Sequence, residues 1–276
     1  MYDYYFGDEK KIKENEIKYL VAIKHMLPRR INSISDAEFI SLYENLNASL
    51  VADTSSNGVL VETGSGASTI LFIYFAYKYN KVLYTWDINQ FKLAEIRSVV
   101  LDTIEKHFKK SLHVVWNYIP SFSTSKDIGI DVIGELGLKI DFGFFDSDHT
   151  EVTLHDEIRS ALKYANPSAV FAIDDATFTC KHKNLPYINI LRKKIGLPAI
   201  KDSSDNKTAP FYESVEKLIK DACPQSKKLT SDYSKLIKDD LFFKYYNFDF
   251  QASGGDLKMV NLDSLAKHYC AYQIIK

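Results

Sequence analysis

The fold of this 276-residue chain is decided by the segment Val61-Glu62-Thr63-Gly64-Ser65-Gly66-Ala67-Ser68-Thr69. An apolar run from Gly58 precedes it and an apolar stretch to Tyr79 follows it, so the pattern predicts a strand, a tight turn and a helix. Glycine permits the turn and lets a ligand approach the backbone, and the helix N-terminus offers free N–H groups. The segment therefore predicts a cofactor site with the candidate contacts Glu62, Thr63, Gly64, Ser65, Gly66, Ser68 and Thr69.

Alternation of strands and helices continues along the chain. Further strands are predicted at 81–87, 113–116, 141–145 and 169–173, and the helices between them at 92–109, 128–137 and 153–165. This alternation is typical of a doubly wound, mostly parallel α/β sheet, Rossmann-like, with helices on both faces. Two strand-like C-terminal segments, at 241–248 and 268–275, are expected to complete seven strands as an antiparallel edge.

The N-terminal part of the chain follows a different pattern. Residues 8–50 have mainly helical periodicity, and the mixed α/β pattern begins only after them. We therefore predict that residues 1–57 form a helical cap of the same domain, and that residues 58–276 form the cofactor-binding catalytic part.

Composition excludes several classes of protein. The chain is 46% hydrophobic and 13% aromatic, and its 35 Lys and Arg balance its 36 Asp and Glu to a net charge of −1. This balance argues against a general nucleic-acid binder, and no apolar run approaches the ~20 residues that span a bilayer. Cys180, Cys223 and Cys270 are far apart, so neither a zinc cluster nor a disulfide framework is expected. We predict a soluble, cytoplasmic protein with no membrane or nucleic-acid partner.

Two classes of nucleotide cofactor use a glycine turn of this kind. A dinucleotide site has the pattern GxGxxG, but Thr69 stands where the third glycine would be. The Glu62 carboxylate would repel a pyrophosphate and attract the cationic amino-acid part of S-adenosylmethionine. Asp87 ends the second predicted strand and can accept both hydroxyls of a ribose, which either cofactor carries. S-adenosylmethionine is favoured, with an NAD-dependent oxidoreductase and a catalytically inactive nucleoside-binding subunit as the alternatives.

Residues 58–175 resemble the class I S-adenosylmethionine-dependent methyltransferases. The glycine turn looks like the first motif of that family, and Asp87 looks like its ribose-binding acid. In many members an Asp-Ser pair after the third strand holds the adenine. Here that region reads Asn117-Tyr118-Ile119-Pro120-Ser121, which lacks the Asp and leaves Ser121 as the candidate adenine contact.

Acidic residues follow the fourth and fifth predicted strands. Asp146 comes directly after one, and Asp174 and Asp175 come after the next. The carboxyl ends of parallel strands meet at one edge of the sheet, so these acids should converge near the cofactor. Packed carboxylates repel one another unless a cation intervenes, and oxygen ligands suit Mg²⁺ or Mn²⁺. The sequence therefore predicts a divalent-metal site formed by Asp146, Asp174 and Asp175.

This arrangement is similar to that of metal-dependent O-methyltransferases, especially the macrocin-type sugar methyltransferases and their cephalosporin-hydroxylase-like relatives. The stretch Asp146-Ser147-Asp148-His149 looks like the motif after their fourth strand. The resemblance implies that the metal lowers the pKa of an acceptor hydroxyl and that His149 takes its proton, with Asp146 as the other catalytic residue. It also implies a small polar acceptor such as a sugar derivative. Asp148 is interpreted as a cap of the next helix, and Trp86 as a core residue rather than an adenine contact.

Two further segments bear on the acceptor and on partners. The run from Thr177 to Lys183 is aromatic and basic, and it could attract an anionic sugar derivative, although a solvated loop is the more common meaning of such a run. The tyrosine-rich N-terminus either closes the pocket or packs on a second subunit of a homodimer; its aromatic residues are Tyr2, Tyr4, Tyr5 and Phe6.

Overall fold

The computed structural model describes residues 15–32, 34, 36–52, 58–148, 150–174, 185–199, 212–229 and 270–276. Seven strands lie in this part of the chain: β1 Gly58–Thr63, β2 Leu83–Trp86, β3 Trp116–Ile119, β4 Lys139–Phe145, β5 Ala165–Ile173, β6 Lys227–Leu229 and β7 Cys270–Gln273. Its helices are α1 Glu16–Lys24, α2 Asp36–Ala52, α3 Ala67–Tyr79, α4 Gln90–Asp102, α5 Ile104–Phe108, α6 Val132–Glu135, α7 Glu151–Tyr164, α8 Leu185–Lys194 and α9 Tyr212–Ala222.

The strands form one sheet in the order β3-β2-β1-β4-β5-β7-β6. Strands β1 to β5 pair in parallel, and β7 runs antiparallel to both of its neighbours, β5 and β6. The predicted fold class, a doubly wound and mostly parallel sheet with an antiparallel C-terminal edge, is confirmed. No helix in the described ranges is both long and apolar enough to cross a bilayer.

Each face of the sheet has its own hydrophobic core. Leu60 of β1 faces the core that contains α1, α2 and α3, whereas Val59 and Val61 face the core that contains α7 and α9. This alternation follows from the two-residue period of a strand. The same alternation places the side chains of Glu62 and Thr63, at the end of β1, on opposite faces of the sheet. Each of them therefore has its hydrogen-bond partners on a different face of the candidate site.

Many of the aromatic residues lie where the N-terminal helices pack on α3. Phe75 of α3 contacts the rings of Tyr43 and Tyr79, with centroids 5.4 and 5.8 Å away. Beside them, Glu16 of α1 accepts hydrogen bonds of 2.8 Å from the hydroxyls of Tyr43 and Tyr74. Helices α1 and α2 therefore share a core with α3, and the division of the chain into a cap at 1–57 and a catalytic part at 58–276 stays a prediction. The aromatic residues at positions 2 to 6 lie outside the described residues.

Some of the predicted elements were wrong. The third strand was predicted at 113–116, but Leu112–Val114 is a 3₁₀ turn and β3 starts only at Trp116. The buried residues here, Leu112 and Val115, recur at a spacing of three, which suits a turn better than a strand. The helix predicted at 128–137 is reduced to the four residues of α6.

At the C-terminal edge, one predicted strand is found and another was missed. The segment at 268–275 contains β7, and the segment at 241–248 lies outside the described residues. Strand β6 was not predicted, because its three residues begin with two exposed lysines and carry no apolar alternation. Short, charged strands are common at sheet edges, where they discourage pairing with other chains.

Candidate functional site

The strand order reverses between β1 and β4, and a ligand crevice in an open α/β sheet lies at such a point, outside the carboxyl ends of the strands. The segments that leave β1, β2 and β4 here are joined by hydrogen bonds. Gly64 N donates to Trp86 O at 2.8 Å, and Asp146 N donates to Thr63 O at 2.9 Å. The glycine turn and the segments carrying Asp87 and Asp146 thus form one edge, which we call the cofactor edge.

Gly64 is required by the backbone around it. Its φ is +79°, in the left-handed region, and a Cβ on it would lie 1.9 Å from the carbonyl oxygen of Asp146. The turn after β1 therefore packs directly against the chain that leaves β4. From the sequence, we predicted that this glycine forms a tight turn and lets a ligand approach the backbone. The structure confirms the turn and adds the contact with the chain at Asp146.

Glu62 is completely buried on the α3 side of the sheet. Its Oε1 accepts a hydrogen bond from Ser68 Oγ at 2.7 Å, and its Oε2 accepts from Thr69 Oγ1 at 2.9 Å and Thr85 Oγ1 at 3.1 Å. Burial raises the pKa of Glu62 to about 7, and the three hydroxyls oppose that rise. The structure thus brings Glu62, Ser68 and Thr69 together, but as partners of one another beneath the glycine turn.

Thr69 also closes the first turn of α3. Its Oγ1 accepts a hydrogen bond from Gly66 N at 2.9 Å, while the same hydroxyl donates to Glu62. The position that holds the third glycine of a dinucleotide motif therefore carries a side chain that fixes the turn. We conclude that Thr69 stabilises the turn through its own hydrogen bonds. Its contact with the cofactor stays a prediction.

Asp87 is held as a charged acceptor at the end of β2. Its Oδ2 accepts from Ser65 N at 2.8 Å and Ser65 Oγ at 2.6 Å, and its Oδ1 accepts from Asn89 N at 2.7 Å. Burial would raise the pKa of Asp87, but these hydrogen bonds and the Lys92 ammonium, 3.4 Å from Oδ2, outweigh burial and hold the pKa below its usual value. Sequence reasoning found Asp87 from its strand end and missed both the Ser65 bond and Lys92.

Two of the three predicted metal ligands lie on neighbouring strand ends. Phe145 of β4 pairs with Ile173 of β5, and Asp146 and Asp174 directly follow these partners. Asp174 N donates to Phe145 O at 3.2 Å, which ties the two chain segments together. The described residues contain no group of three or more acidic, histidine or cysteine side chains placed to hold a metal. The third predicted ligand, Asp175, and the predicted base, His149, lie outside the described residues, so the metal site stays a prediction.

Three other predicted residues have defined places. Trp86 is buried and donates from Nε1 to Ile128 O at 2.6 Å, which confirms it as a core residue. Asp148 accepts from Thr150 N at 3.0 Å and from Thr153 Oγ1 at 2.8 Å, which confirms its place at the start of α7. Ser121 lies two residues beyond β3, with its N–H on Ile119 O at 2.8 Å, and its adenine contact stays a prediction.

Sequence reasoning missed Glu157 of α7, a second completely buried acid. Ser123 Oγ donates to Glu157 Oε1, and the hydroxyls of Ser147 and Thr63 lie near the carboxyl. Burial raises the pKa of Glu157 to about 7, against the effect of these hydroxyls. A signal existed in the sequence: Glu157 falls on the apolar stripe of α7, three residues after Leu154 and four before Ala161.

The strand order, the glycine turn and the acid after β2 together define the fold of the class I S-adenosylmethionine-dependent methyltransferases. A similar solved structure is the O-methyltransferase TomG from Streptomyces achromogenes, involved in tomaymycin synthesis, in complex with S-adenosylmethionine. Its TM-score is 0.50 at 12% identity, over 95% of this chain and 90% of that chain. An O-methyltransferase from Bacillus cereus in complex with S-adenosylhomocysteine has a TM-score of 0.45 at 14% identity, over 83% and 91%. The fold assignment rests on the first structure and on the strand order.

No protein-family model matches the sequence, and no curated protein matches it.

Proposed function

We propose that the protein is an S-adenosylmethionine-dependent methyltransferase that methylates a hydroxyl oxygen of a small polar acceptor. One observation carries the proposal: Asp87 stands as a charged acceptor at the end of β2, bonded to Ser65 of the glycine turn, on the cofactor edge. A carboxylate with two acceptor oxygens matches the two hydroxyls of a ribose. The structural similarity to TomG supports the class I methyltransferase fold, in which this arrangement is found.

The residues of the cofactor edge divide the binding task between them. Asp87 would accept the ribose hydroxyls, and the N–H groups at the start of α3 would face the amino-acid carboxylate. Glu62, buried below, has a raised pKa, and the cationic sulfonium and amino groups of a bound cofactor would lower that pKa and favour its negative charge. When bound, the cofactor supplies an electrophilic methyl group, and the chain supplies proximity and orientation to the acceptor.

A divalent metal is the second part of the proposal. Asp146 and Asp174 leave adjacent strand ends, and Asp175 follows Asp174 in the sequence, so these three oxygen-bearing side chains fit Mg²⁺ or Mn²⁺. Such an ion would lower the pKa of an acceptor hydroxyl, and His149 would take the proton. Lys181 and Lys183 further along the chain favour an anionic acceptor, such as an acidic or phosphorylated sugar.

Neither alternative gains support from the described residues. A dinucleotide-dependent oxidoreductase would need a turn open to a pyrophosphate, yet Thr69 fills the third-glycine position and bonds to both Gly66 and Glu62. An inactive nucleoside-binding subunit would not need the acids after β4 and β5, and Asp146 and Asp174 are both present there.

The test of the site compares binding of S-adenosylhomocysteine by two variants. Asp87→Ala should weaken binding at least ~30-fold, because it removes the hydrogen bonds of a charged acceptor to both hydroxyls. Asp102→Ala is the matched control, since Asp102 is exposed on α4 and pairs with Lys106 in a surface bridge. Equal losses in both variants, or no loss in Asp87→Ala, would contradict the ribose assignment.

The metal is tested by turnover. Methyl transfer to sugar and sugar-phosphate hydroxyls should be abolished by EDTA and restored by Mg²⁺ or Mn²⁺, and Asp146→Asn should remove that restoration. Transfer that continues undiminished in EDTA would remove the metal from the proposal and leave the methyltransferase assignment in place.

A further inference from the structure

A cluster of charged side chains joins α7, α8 and α9. The side chain of Arg192, on α8, is only 2% exposed, and its guanidinium donates to three acceptors. Nη1 donates to Glu151 Oε1 at 3.0 Å, Nη2 donates to Glu213 Oε2 at 2.6 Å, and Nε donates to the Pro198 carbonyl at 2.8 Å. Glu151 is completely buried as well. We call Arg192, Glu151 and Glu213 the arginine cluster.

Each acid of the arginine cluster stands at the start of a helix. Glu151 is the first residue of α7, the helix that follows β4 and Asp146 in the chain. Glu213 lies in the first turn of α9, and both α8 and α9 follow β5. The cluster therefore ties two helices that come after β5 to the point where the chain that leaves β4 enters α7.

Hydrogen bonds continue from the start of α7 to the cofactor edge. Asp148 accepts from Thr150 N at 3.0 Å and from Thr153 Oγ1 at 2.8 Å, so the chain before α7 is bonded to the first turn of that helix. At the other end of the same short connection, Asp146 N donates to Thr63 O at 2.9 Å. The direction in which α7 begins therefore bears on where Asp146 stands.

Apolar packing already holds α9 against α7. The two helices contribute to one hydrophobic core, α7 with Ile158, Ala161 and Leu162, and α9 with Val215 and Ile219. A buried ion pair is often no more stabilising than apolar side chains of similar volume, because its charges must be removed from water. A guanidinium instead fixes directions, because its donors lie in one plane and meet their acceptors at set angles. The arginine cluster is therefore better suited to orientation than to adhesion.

We propose that Arg192 is a positioning residue for the proposed methyl transfer. Through Glu151 it fixes the angle at which the chain that leaves β4 enters α7, and this angle sets the place of Asp146 at the cofactor edge. Through Glu213 the same guanidinium holds the start of α9 at that point. The inference rests on the proposed function, because a role in methyl transfer requires the cofactor edge to bind S-adenosylmethionine.

The test removes the buried ions without leaving a buried charge unpaired. The double variant Arg192→Met with Glu151→Gln should keep the urea midpoint of wild type within ~0.5 M and the affinity for S-adenosylhomocysteine within ~twofold. Hydrogen exchange of the amides in residues 146–154 should nevertheless become at least ~10-fold faster, because the start of α7 is no longer held in one direction. The amides of residues 61–69, in the glycine turn, should exchange as in wild type.

Turnover separates positioning from stability. With sugar and sugar-phosphate acceptors, the kcat of the double variant should fall at least ~10-fold, while the KM for S-adenosylmethionine stays within ~twofold. A cluster that only stabilises the fold would leave the kcat per folded molecule unchanged, and that result would overturn the inference. Arg159→Met is the matched control, since it removes a surface bridge to Asp156 on the same helix, and it should leave both exchange and kcat unchanged.

The possible results separate the inference from the proposed function. Wild type that binds no S-adenosylhomocysteine overturns the proposed function and the inference with it. Wild type that binds it but methylates none of these acceptors overturns only the acceptor class, and hydrogen exchange then decides the inference. Unchanged exchange at 146–154, or an equal increase at 61–69, overturns the inference alone.

A second variant decides the matter if the double variant does not fold. Arg192→Lys keeps a cation beside Glu151, but an ammonium cannot bond to all three acceptors at once. Exchange at 146–154 should therefore rise about 3- to 10-fold in Arg192→Lys, and an unchanged rate would overturn the inference.

Discussion

Glu62 and Glu157 lie on opposite faces of the same sheet, and they differ in what satisfies them. Both are completely buried, and burial raises the pKa of each to about 7. Glu62 takes hydrogen bonds from Ser68, Thr69 and Thr85, so both of its oxygens are satisfied within the fold. Glu157 takes one from Ser123 and keeps an oxygen without a partner in the described part of the chain.

The difference separates two kinds of buried acid. An acid whose oxygens all take hydrogen bonds from the chain stabilises its surroundings. An acid with a desolvated oxygen that lacks a hydrogen bond costs free energy. Glu62, on the α3 side of the cofactor edge, is therefore expected to contribute more to stability than Glu157 on the α7 side.

The largest expected effect concerns Gly64, which lies between these two sides. Gly64→Ala should destabilise the fold by about 3 kcal/mol or more, because the added Cβ meets the Asp146 carbonyl at 1.9 Å and φ is positive. Gly137→Ala is the matched control, since Gly137 has a φ of +68° and no atom of the described residues lies within 4 Å of its Cβ position. Urea unfolding of both variants gives the comparison, and equal losses would show that only the backbone angle matters at Gly64.

The next effect compares the two acids directly. Glu62→Ala should cost about 2–4 kcal/mol of unfolding free energy, because it leaves three buried hydroxyls without their acceptor. Glu157→Ala should cost less, about 1–2 kcal/mol beyond the lost packing, because Ser123 loses its acceptor, the Ser147 and Thr63 hydroxyls lose a neighbouring carboxyl, and one poorly satisfied buried oxygen is removed. Chemical denaturation at pH 7 without ligand measures both, and a greater loss in Glu157→Ala would reverse the comparison.

A smaller effect should appear in the pH dependence of stability. The pKa of each acid is about 7 in the fold against 4.5 when exposed, so the folded state binds more protons between these values. The contribution is therefore full below pH 4.5 and is lost as pH rises through 7. Glu62→Gln or Glu157→Gln should flatten the fall in stability between pH 5 and pH 8 by about 1–3 kcal/mol each. Thermal melts between pH 5 and pH 8 measure this change in stability. A pH dependence of stability identical to that of wild type would contradict the raised pKa values.

The smallest effect is expected at Ser65. Ser65→Ala removes the hydroxyl on Asp87 Oδ2 but keeps the backbone N–H on the same oxygen, and it frees an acceptor site for a ribose hydroxyl. These changes oppose each other, so binding of S-adenosylhomocysteine should change by less than about threefold. A loss as large as that of Asp87→Ala would mean that the hydroxyl, rather than the carboxylate, makes the main contact.

Local pattern in the sequence was enough for the framework of the site. The glycine turn and Asp87 were found because each follows a short apolar strand, and strand ends can be recognised in a sequence. The three hydroxyls around Glu62 come from two elements that meet only in the folded sheet, so their shared partner could not be predicted. Glu157 lies on a helix outside any motif, and Ser123, which donates to it, comes from the segment between β3 and α6, so the pair forms only in the folded chain.

The strand register also shows where pattern fails. Val114 is apolar yet exposed, and Leu112 and Val115 are buried at a spacing of three, so β3 was predicted three residues too early. Strand β6 has no apolar alternation at all, because it is a short charged edge. The roles of His149 as the base and of Asp175 as a metal ligand stay predictions. Both depend on the resemblance to metal-dependent O-methyltransferases.

The most direct test of the account is one calorimetric titration of the wild-type chain with S-adenosylhomocysteine, followed by NAD⁺ in the same buffer. We predict one molecule of S-adenosylhomocysteine bound per chain, with a dissociation constant in the range of about 1–100 µM, and no heat from NAD⁺. Saturable binding of NAD⁺ together with no binding of S-adenosylhomocysteine would contradict the assignment of the cofactor edge.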